Sequence, residues 1–139
     1  MSLFCCPICG KPLIREETRY LCPDRHSYDI SKEGYTHLLP PNQKHSAAPG
    51  DDKGMAAARR DFLSKDYYKP LRDTLCHEIL CRSEDAPVIL DTGCGEGYYA
   101  KAVCPEKAMT RIGFDISKEA VRLAARGQRS AAFFAADLK

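Results

Sequence analysis

Four residues near the amino terminus have the types and spacing of a tetrahedral metal site. Cys6-Pro7-Ile8-Cys9 is a C-x2-C knuckle, and after a twelve-residue spacer Cys22-Pro23-Asp24-Arg25-His26 adds a C-x3-H half-site. Three thiolates and one imidazole fill the coordination shell of Zn2+ and leave no open position for a catalytic water, so this chemistry is structural. The C-x2-C spacing lets two backbone amides point at the first sulfur, which favours Cys6 over its neighbour Cys5; His37 is an alternative to His26 as fourth ligand.

A second constellation lies between residues 88 and 137. The apolar run Val88-Ile89-Leu90 leads into Asp91-Thr92-Gly93-Cys94-Gly95-Glu96-Gly97-Tyr98, and Gly113-Phe114-Asp115-Ile116 follows about 20 residues after the glycines. Glycines let backbone approach a ligand where a Cβ would collide, and a carboxylate at the next strand end can accept from both ribose hydroxyls. A dinucleotide fingerprint reads G-x-G-x-x-G, but here the pattern is G-x-G-x-G and Tyr98 stands where the third glycine of that fingerprint belongs. Asp91 and Glu96 would repel a diphosphate and favour a sulfonium with its amino-acid ammonium. The predicted cofactor is therefore S-adenosyl-L-methionine rather than NAD. A further strand, Ala131 to Ala136, ends in Asp137, whose carboxylate is placed to accept from an adenine amino group.

These groups need elements to hold them. Arg19-Tyr20-Leu21 reads as a strand and Gly10-Lys11-Pro12-Leu13 as the turn leaving the first knuckle, which gives a zinc ribbon over 1–39 too small to fold without its metal. Residues 40–54 are rich in Pro, Gly, Ser and Asp and read as a linker. Two helices follow, one near Met55 to Ser64 carrying Arg59 and Arg60, the other capped by Asp66 with an apolar stripe at Tyr68, Leu71, Leu75 and Ile79; both are expected to pack on the sheet. Residues 55–139 then form the first three strands of a Rossmann-like sheet, making the chain α/β.

Composition limits the rest. With 139 residues, 44% hydrophobic content and net charge +2, the chain can bury one modest core and a small accessory module, and no broad basic face advertises nucleic acid. No apolar run approaches the roughly 18 residues of a membrane span, and the scatter of Cys76, Cys81, Cys94 and Cys104 argues for free thiols in a reducing cytoplasm.

The order of these blocks, with Lys32-Glu33-Gly34-Tyr35, Pro49-Gly50-Asp51, Ala58-Arg59-Arg60-x-Phe62-Leu63 and Tyr68-x-Pro70-Leu71 between them, resembles the bacterial large-subunit (23S) ribosomal RNA (guanine-N1)-methyltransferases, a zinc finger followed by a Rossmann-like methyltransferase domain. The resemblance spans the chain. It implies methyl transfer from S-adenosylmethionine to guanine N1 in an rRNA hairpin loop, with the finger helping to recognise the RNA. By position it makes Cys6, Cys9, Cys22 and His26 the zinc ligands, Tyr68 an aromatic against the cofactor, and Gly95, Glu96 and Gly97 the turn around it. No catalytic base is assigned.

In that family the fourth strand pairs with the first, and the substrate loop follows it. The sequence here stops after the third strand, so we expect an unpaired apolar edge at Val88 to Leu90, prone to association as a homodimer or with another chain. The corresponding expectation is a fragment or shortened product that binds zinc stoichiometrically, binds S-adenosylmethionine weakly and does not methylate alone. The alternative is a non-enzymatic, zinc-dependent RNA-binding or interaction module.

Overall fold

The computed structural model describes residues 2–40, 50–103 and 109–137; most of the expected linker, 41–49, and Cys104 lie outside them. The zinc-ribbon segment forms a three-stranded antiparallel sheet, β1 (Ile14–Arg15), β2 (Arg19–Leu21) and β3 (Ser27–Asp29). β2 falls where the sequence places it. The fourth strand, β4 (Tyr35–His37), leaves this sheet and pairs in parallel with β7 (Ala132–Ala135), with Tyr35 opposite Phe133 and His37 opposite Ala135.

The larger sheet is parallel, in the order β4-β7-β6-β5, where β5 is Val88–Thr92 and β6 is Thr110–Asp115. The three Rossmann strands thus lie side by side as expected, and the segment assigned to the finger adds a fourth at their outer side. β5 is at the sheet's other edge, with Val88 52% and Leu90 57% exposed.

Period-two alternation divides the sheet's residues between two faces. On one, Phe133 and Tyr35 pack with Val121, Ala124 and Ala125 of α4 (Lys118–Gly127), whose first turn is capped by Ser117 Oγ accepting from the Ala120 amide. On the other, Ile112 and Phe134 share a core with Leu13, Tyr20 and the metal-site residues Cys6 and Cys22. Phe4 stacks at 4.4 Å from Phe134 and 5.7 Å from Tyr20, joining ribbon to sheet through three rings. The ribbon is therefore docked on the sheet face rather than held off by its linker.

The helices differ in detail from expectation. α1 (Lys53–Ser64) is capped by Asp52, whose Oδ1 accepts from the Met55 amide at 2.8 Å. α2 (Lys69–Arg82) begins with Pro70 in its first turn, and its cap position is Tyr68 without a side-chain bond. Asp66 is not the cap: it takes a left-handed φ of 60° in the turn between the helices. Nor do these helices lie on the sheet. α1 packs against α4, and α2 against α3 (Tyr98–Ala102), leaving Leu71 and Leu75 of the stripe 47% and 42% exposed. The first two residues of the stripe, Tyr68 and Leu71, line a crevice instead of a core. Among the described residues no cysteine forms a disulfide, and no helix is long and apolar enough to cross a membrane.

Candidate functional site

The ligand atoms of Cys6, Cys9, Cys22 and His26 lie within 4.8 Å of one another. Cys9 and Cys22 sulfurs are 3.7 Å apart, and His26 Nδ1 lies 3.5 Å from Cys6 Sγ and 3.3 Å from Cys22 Sγ. Tetrahedral Zn2+ with Zn–S of about 2.3 Å and Zn–N of about 2.0 Å requires edges of about 3.8 Å between sulfurs and about 3.5 Å from sulfur to nitrogen, so the donors already stand at coordination spacing. Cys5 is exposed and His37 sits on β4; neither belongs to this cluster.

The thiols' acidities fit the same ion. Burial pushes the Cys6 thiol up, but the Tyr28 hydroxyl at 3.1 Å and the amides of Cys9 and Ile8 outweigh it and bring its pKa down to about 6. At Cys9 the Lys11 amide favours the thiolate, yet burial and the neighbouring Cys6, Cys22 and Asp24 prevail and push it up to about 11. One thiolate forms readily, while others beside it need a cation. Tyr28, on β3, orients the first sulfur from outside the ligand set, a role for which the sequence carries no spacing signal.

The glycine turn sits at the carboxyl ends of β5 and β6. Asp115 organises it: Oδ2 accepts from the Gly95 amide at 2.9 Å and Oδ1 from the Ser117 amide at 2.8 Å, leaving a lone pair on each oxygen. Gly95 has φ +53° and open space where its Cβ would stand. Gly97 has φ +76°, and a Cβ there would come within 2.4 Å of Gln128 Nε2, which donates to the Gly97 carbonyl at 3.1 Å. Gln128, just past α4, is a support for the turn that the sequence pattern does not show. Gly97→Ala is expected to destabilise the chain by about 1–3 kcal/mol through strained backbone and displacement of Gln128. A urea midpoint equal to that of the parent would contradict this packing.

Above the turn lies a cavity of about 730 Å³ lined by Gly93, Cys94, Gly95, Glu96, Tyr98, Asp115 and Ile116 from the sheet side. Tyr68, Phe62, Leu71, Arg59 and Asp51 close it from the helix side. Its volume suits a ligand of nucleoside size, and its walls combine aromatic rings with convergent acceptors. Tyr68 is 44% exposed and meets Phe62 ring to ring at 5.5 Å. Glu96 is held by Arg60 at 2.8 Å and Asp51 by Arg59 at 2.9 Å, so α1 is clasped to both sides of the crevice. The Asp51 carbonyl also accepts from Ser117 Oγ at 2.7 Å.

Asp91 and Gly97 stand behind the turn rather than in the cavity wall. Asp91 Oδ2 is buried without a hydrogen-bond partner, as is the Tyr98 hydroxyl, whose ring lies 5.2 Å beneath the Arg72 guanidinium. Burial first, then the charge of Asp115, raises the Asp91 carboxyl above its usual range, with the Ala100 amide opposing. Cys94 is pushed up to about 12 by burial and by the same two carboxylates, so it stays a thiol and supplies no nucleophile. Asp137 is placed elsewhere: it lines an apolar groove with Leu90, Phe114 and Phe134 on the ribbon side of the sheet.

Comparison with known proteins bears on both halves. The family model described as RlmA, N-terminal, a zinc ribbon, matches residues 4–47. A protein of Micromonospora griseorubida described as a 23S rRNA (guanine-N(1)-)-methyltransferase is 36% identical over 87% of this chain and 46% of its own length. The 23S rRNA (guanine(748)-N(1))-methyltransferase of Streptomyces fradiae is 32% identical over 96% of this chain and 48% of its own. The chain thus spans about half the length of the curated relatives it matches. Among solved structures, a protein from Methanococcus maripaludis described as an S-adenosyl-L-methionine-dependent methyltransferase superposes with TM-score 0.52 at 17% identity, covering 66% of this chain and 46% of that one, a likeness of fold.

Proposed function

We propose, from the premise that residues 4–47 belong to the RlmA N-terminal zinc-ribbon family and that the chain is a relative of 23S rRNA (guanine-N1)-methyltransferases, that this protein binds Zn2+ and S-adenosyl-L-methionine and serves methyl transfer to guanine N1 of large-subunit ribosomal RNA. The observation that carries the reading is the crevice at the strand ends, where Asp115 fixes the glycine turn and retains free lone pairs while Asp91 lies behind it with a partnerless oxygen.

The donor set of Cys6, Cys9, Cys22 and His26 fits zinc in a closed, structural role. In the crevice, Asp115 accepts from ribose hydroxyls, Tyr68 and Ile116 flank the base, and the open backbone at Gly93 and Gly95 lets the ligand approach. The carboxylate of Asp91, set behind the turn, adds negative potential that favours the amino-acid ammonium. S-adenosylmethionine supplies an electrophilic methyl group on a sulfonium. The chain's contribution is orientation and charge, since guanine N1 lies on the Watson–Crick edge and is reached only in an unpaired or extruded base, which a hairpin loop offers. Such a substrate places the protein in the cytoplasm. We include in this reading the domain limits 1–39 and 55–139 joined by 40–54, and association through the exposed β5 edge.

Calorimetric titration with S-adenosylhomocysteine tests it. Saturable heat at one site per chain is the expected result; a flat titration of the zinc-loaded protein would leave the RNA-binding module as the better account. The Asp91 carboxyl adds a sign. Its pKa is raised in the free protein, and the charge of an ammonium bound in the crevice in front of it lowers that pKa, so near the raised value binding releases a proton and affinity rises with pH, levelling above it. Titrations in the acidic range, in buffers of different ionisation enthalpy, should show this release, and Asp91→Asn should diminish it.

A further inference from the structure

We propose that the cavity at the amino-terminal ends of β6 and β7, lined by Arg15, Arg111 and Arg129, grips a backbone phosphate of the RNA at a point remote from the target base. This rests on the reading above, in that it takes RNA to be the substrate. The cavity holds about 360 Å³. Its three arginines come from β1 of the ribbon, from β6 and from the segment after α4.

Most arginines elsewhere in the chain are neutralised: Arg19, Arg59, Arg60, Arg72, Arg82, Arg122 and Arg126 each meet a carboxylate, and Arg25 does not line this cavity. Arg15, Arg111 and Arg129 form no ion pair among the described residues, yet they converge on one cavity. Arg111 Nη2 donates to Ser130 Oγ at 2.5 Å and Nη1 to the Ala100 carbonyl at 3.5 Å, while its Nε is buried without a partner. Glu33 also lines the cavity, with its carboxylate turned to Arg126 at 3.5 Å. A planar guanidinium fork matches phosphate oxygens better than an ammonium does.

Arg15 and Arg129 are exposed, so the site is open to a polymer rather than closed over a small ion. It lies at the opposite ends of the strands from the glycine turn, about 20 Å away along six-residue β6 at roughly 3.3 Å per residue. A contact there adds affinity and register without touching the reacting atoms. It also ties the ribbon and the sheet to the same RNA strand, because the two halves of the chain contribute side chains to one cavity.

The test uses the zinc-loaded chain and a fluorescently labelled large-subunit rRNA hairpin, titrated by anisotropy over a range of salt. Arg15→Gln/Arg129→Gln should reduce the slope of log K against log salt by about one and weaken binding about ten-fold at low salt. Arg15→Lys/Arg129→Lys should restore most of the slope, since it restores the charge. Arg82→Gln, at an exposed position on the far end of α2, should leave it unchanged. An unchanged slope in the double glutamine variant overturns the proposal, and so does an equal loss in Arg82→Gln. Inorganic phosphate binding that depends on Arg15 and Arg129 while RNA binding does not would assign the cavity to a free anion and overturn it as well. S-adenosylhomocysteine heat is measured on the same variants: if it persists while the slope fails to change, the phosphate site falls and the methyltransferase reading stands, whereas loss of that heat in the parent chain falls on the reading alone.

Discussion

Stripping zinc from this protein should unfold more than its ribbon. The ligands Cys6 and Cys22 lie in one core with Leu13, Tyr20, Ile112 and Phe134, so the residues that hold the metal also cover one face of the parallel sheet. Structural zinc contributes about 10–16 kcal/mol of apparent binding energy in small fingers, comparable with the whole stability of a domain of this size, about 5–15 kcal/mol. Without the ion, closely packed thiolates repel or must protonate, the ribbon loosens, and Phe134 and Ile112 face water. Exposing those two side chains alone costs about 3–5 kcal/mol. Chelation, or Cys22→Ser, is therefore expected to lower the thermal midpoint by more than about 10 °C, at about 3–5 °C per kcal/mol for a chain of this length. Zinc release followed by colorimetric chelator should coincide with the loss of tyrosine near-ultraviolet dichroism from Tyr20 and Tyr28. Two separate transitions, with the sheet melting at its original temperature, would show that the docking of ribbon on sheet does not couple them.

The second large effect is expected at Asp115. Replacing it with alanine removes the acceptor of the Gly95 and Ser117 amides and, in the proposed complex, both ribose contacts. Hydrogen bonds to a charged acceptor contribute about 1.5–3 kcal/mol each, so Asp115→Ala should weaken S-adenosylhomocysteine about 100-fold or more. Asp115→Asn retains one carbonyl oxygen and the side-chain shape but loses the charge, and should fall between, at about ten-fold. The pair separates binding from folding: the asparagine amide leaves one of the two backbone N–H groups without its acceptor and should lower the thermal midpoint by only a few degrees, with zinc content unchanged, while calorimetric affinity drops. If both variants bind as the parent does, the carboxylate does not face the ligand and the crevice has been assigned the wrong occupant.

Much of this was legible in the residues because its determinants are local. The knuckle Cys6-x2-Cys9 and the half-site Cys22-x3-His26 each sit within one turn of chain, so spacing alone constrains how their donors can meet. The glycine turn between β5 and α3 announces itself by residue types that tolerate positive φ, and Asp115 by its place at the next strand end. Helix limits were less legible: Tyr68, not Asp66, takes the cap position of α2, and Asp66 adopts a left-handed turn where Phe62 packs against Tyr67 and Tyr68.

Sequence alone determined which groups gather as candidate donors and acceptors, the three thiols and imidazole of the ribbon and the carboxylates and glycines at the strand ends, because each set is encoded within a short window where geometry follows from spacing. Tertiary structure alone decided how those sets are joined: Tyr35–His37 crossing to pair with Phe133–Ala135, Phe4 and Tyr20 closing over Phe134, Tyr28 reaching Cys6, Gln128 propping Gly97, and Arg15 lining one cavity with Arg111 and Arg129. Several of these contacts link residues about a hundred positions apart. No periodicity or motif registers such a pairing; it is selected by burying apolar area and satisfying polar groups across the whole fold at once.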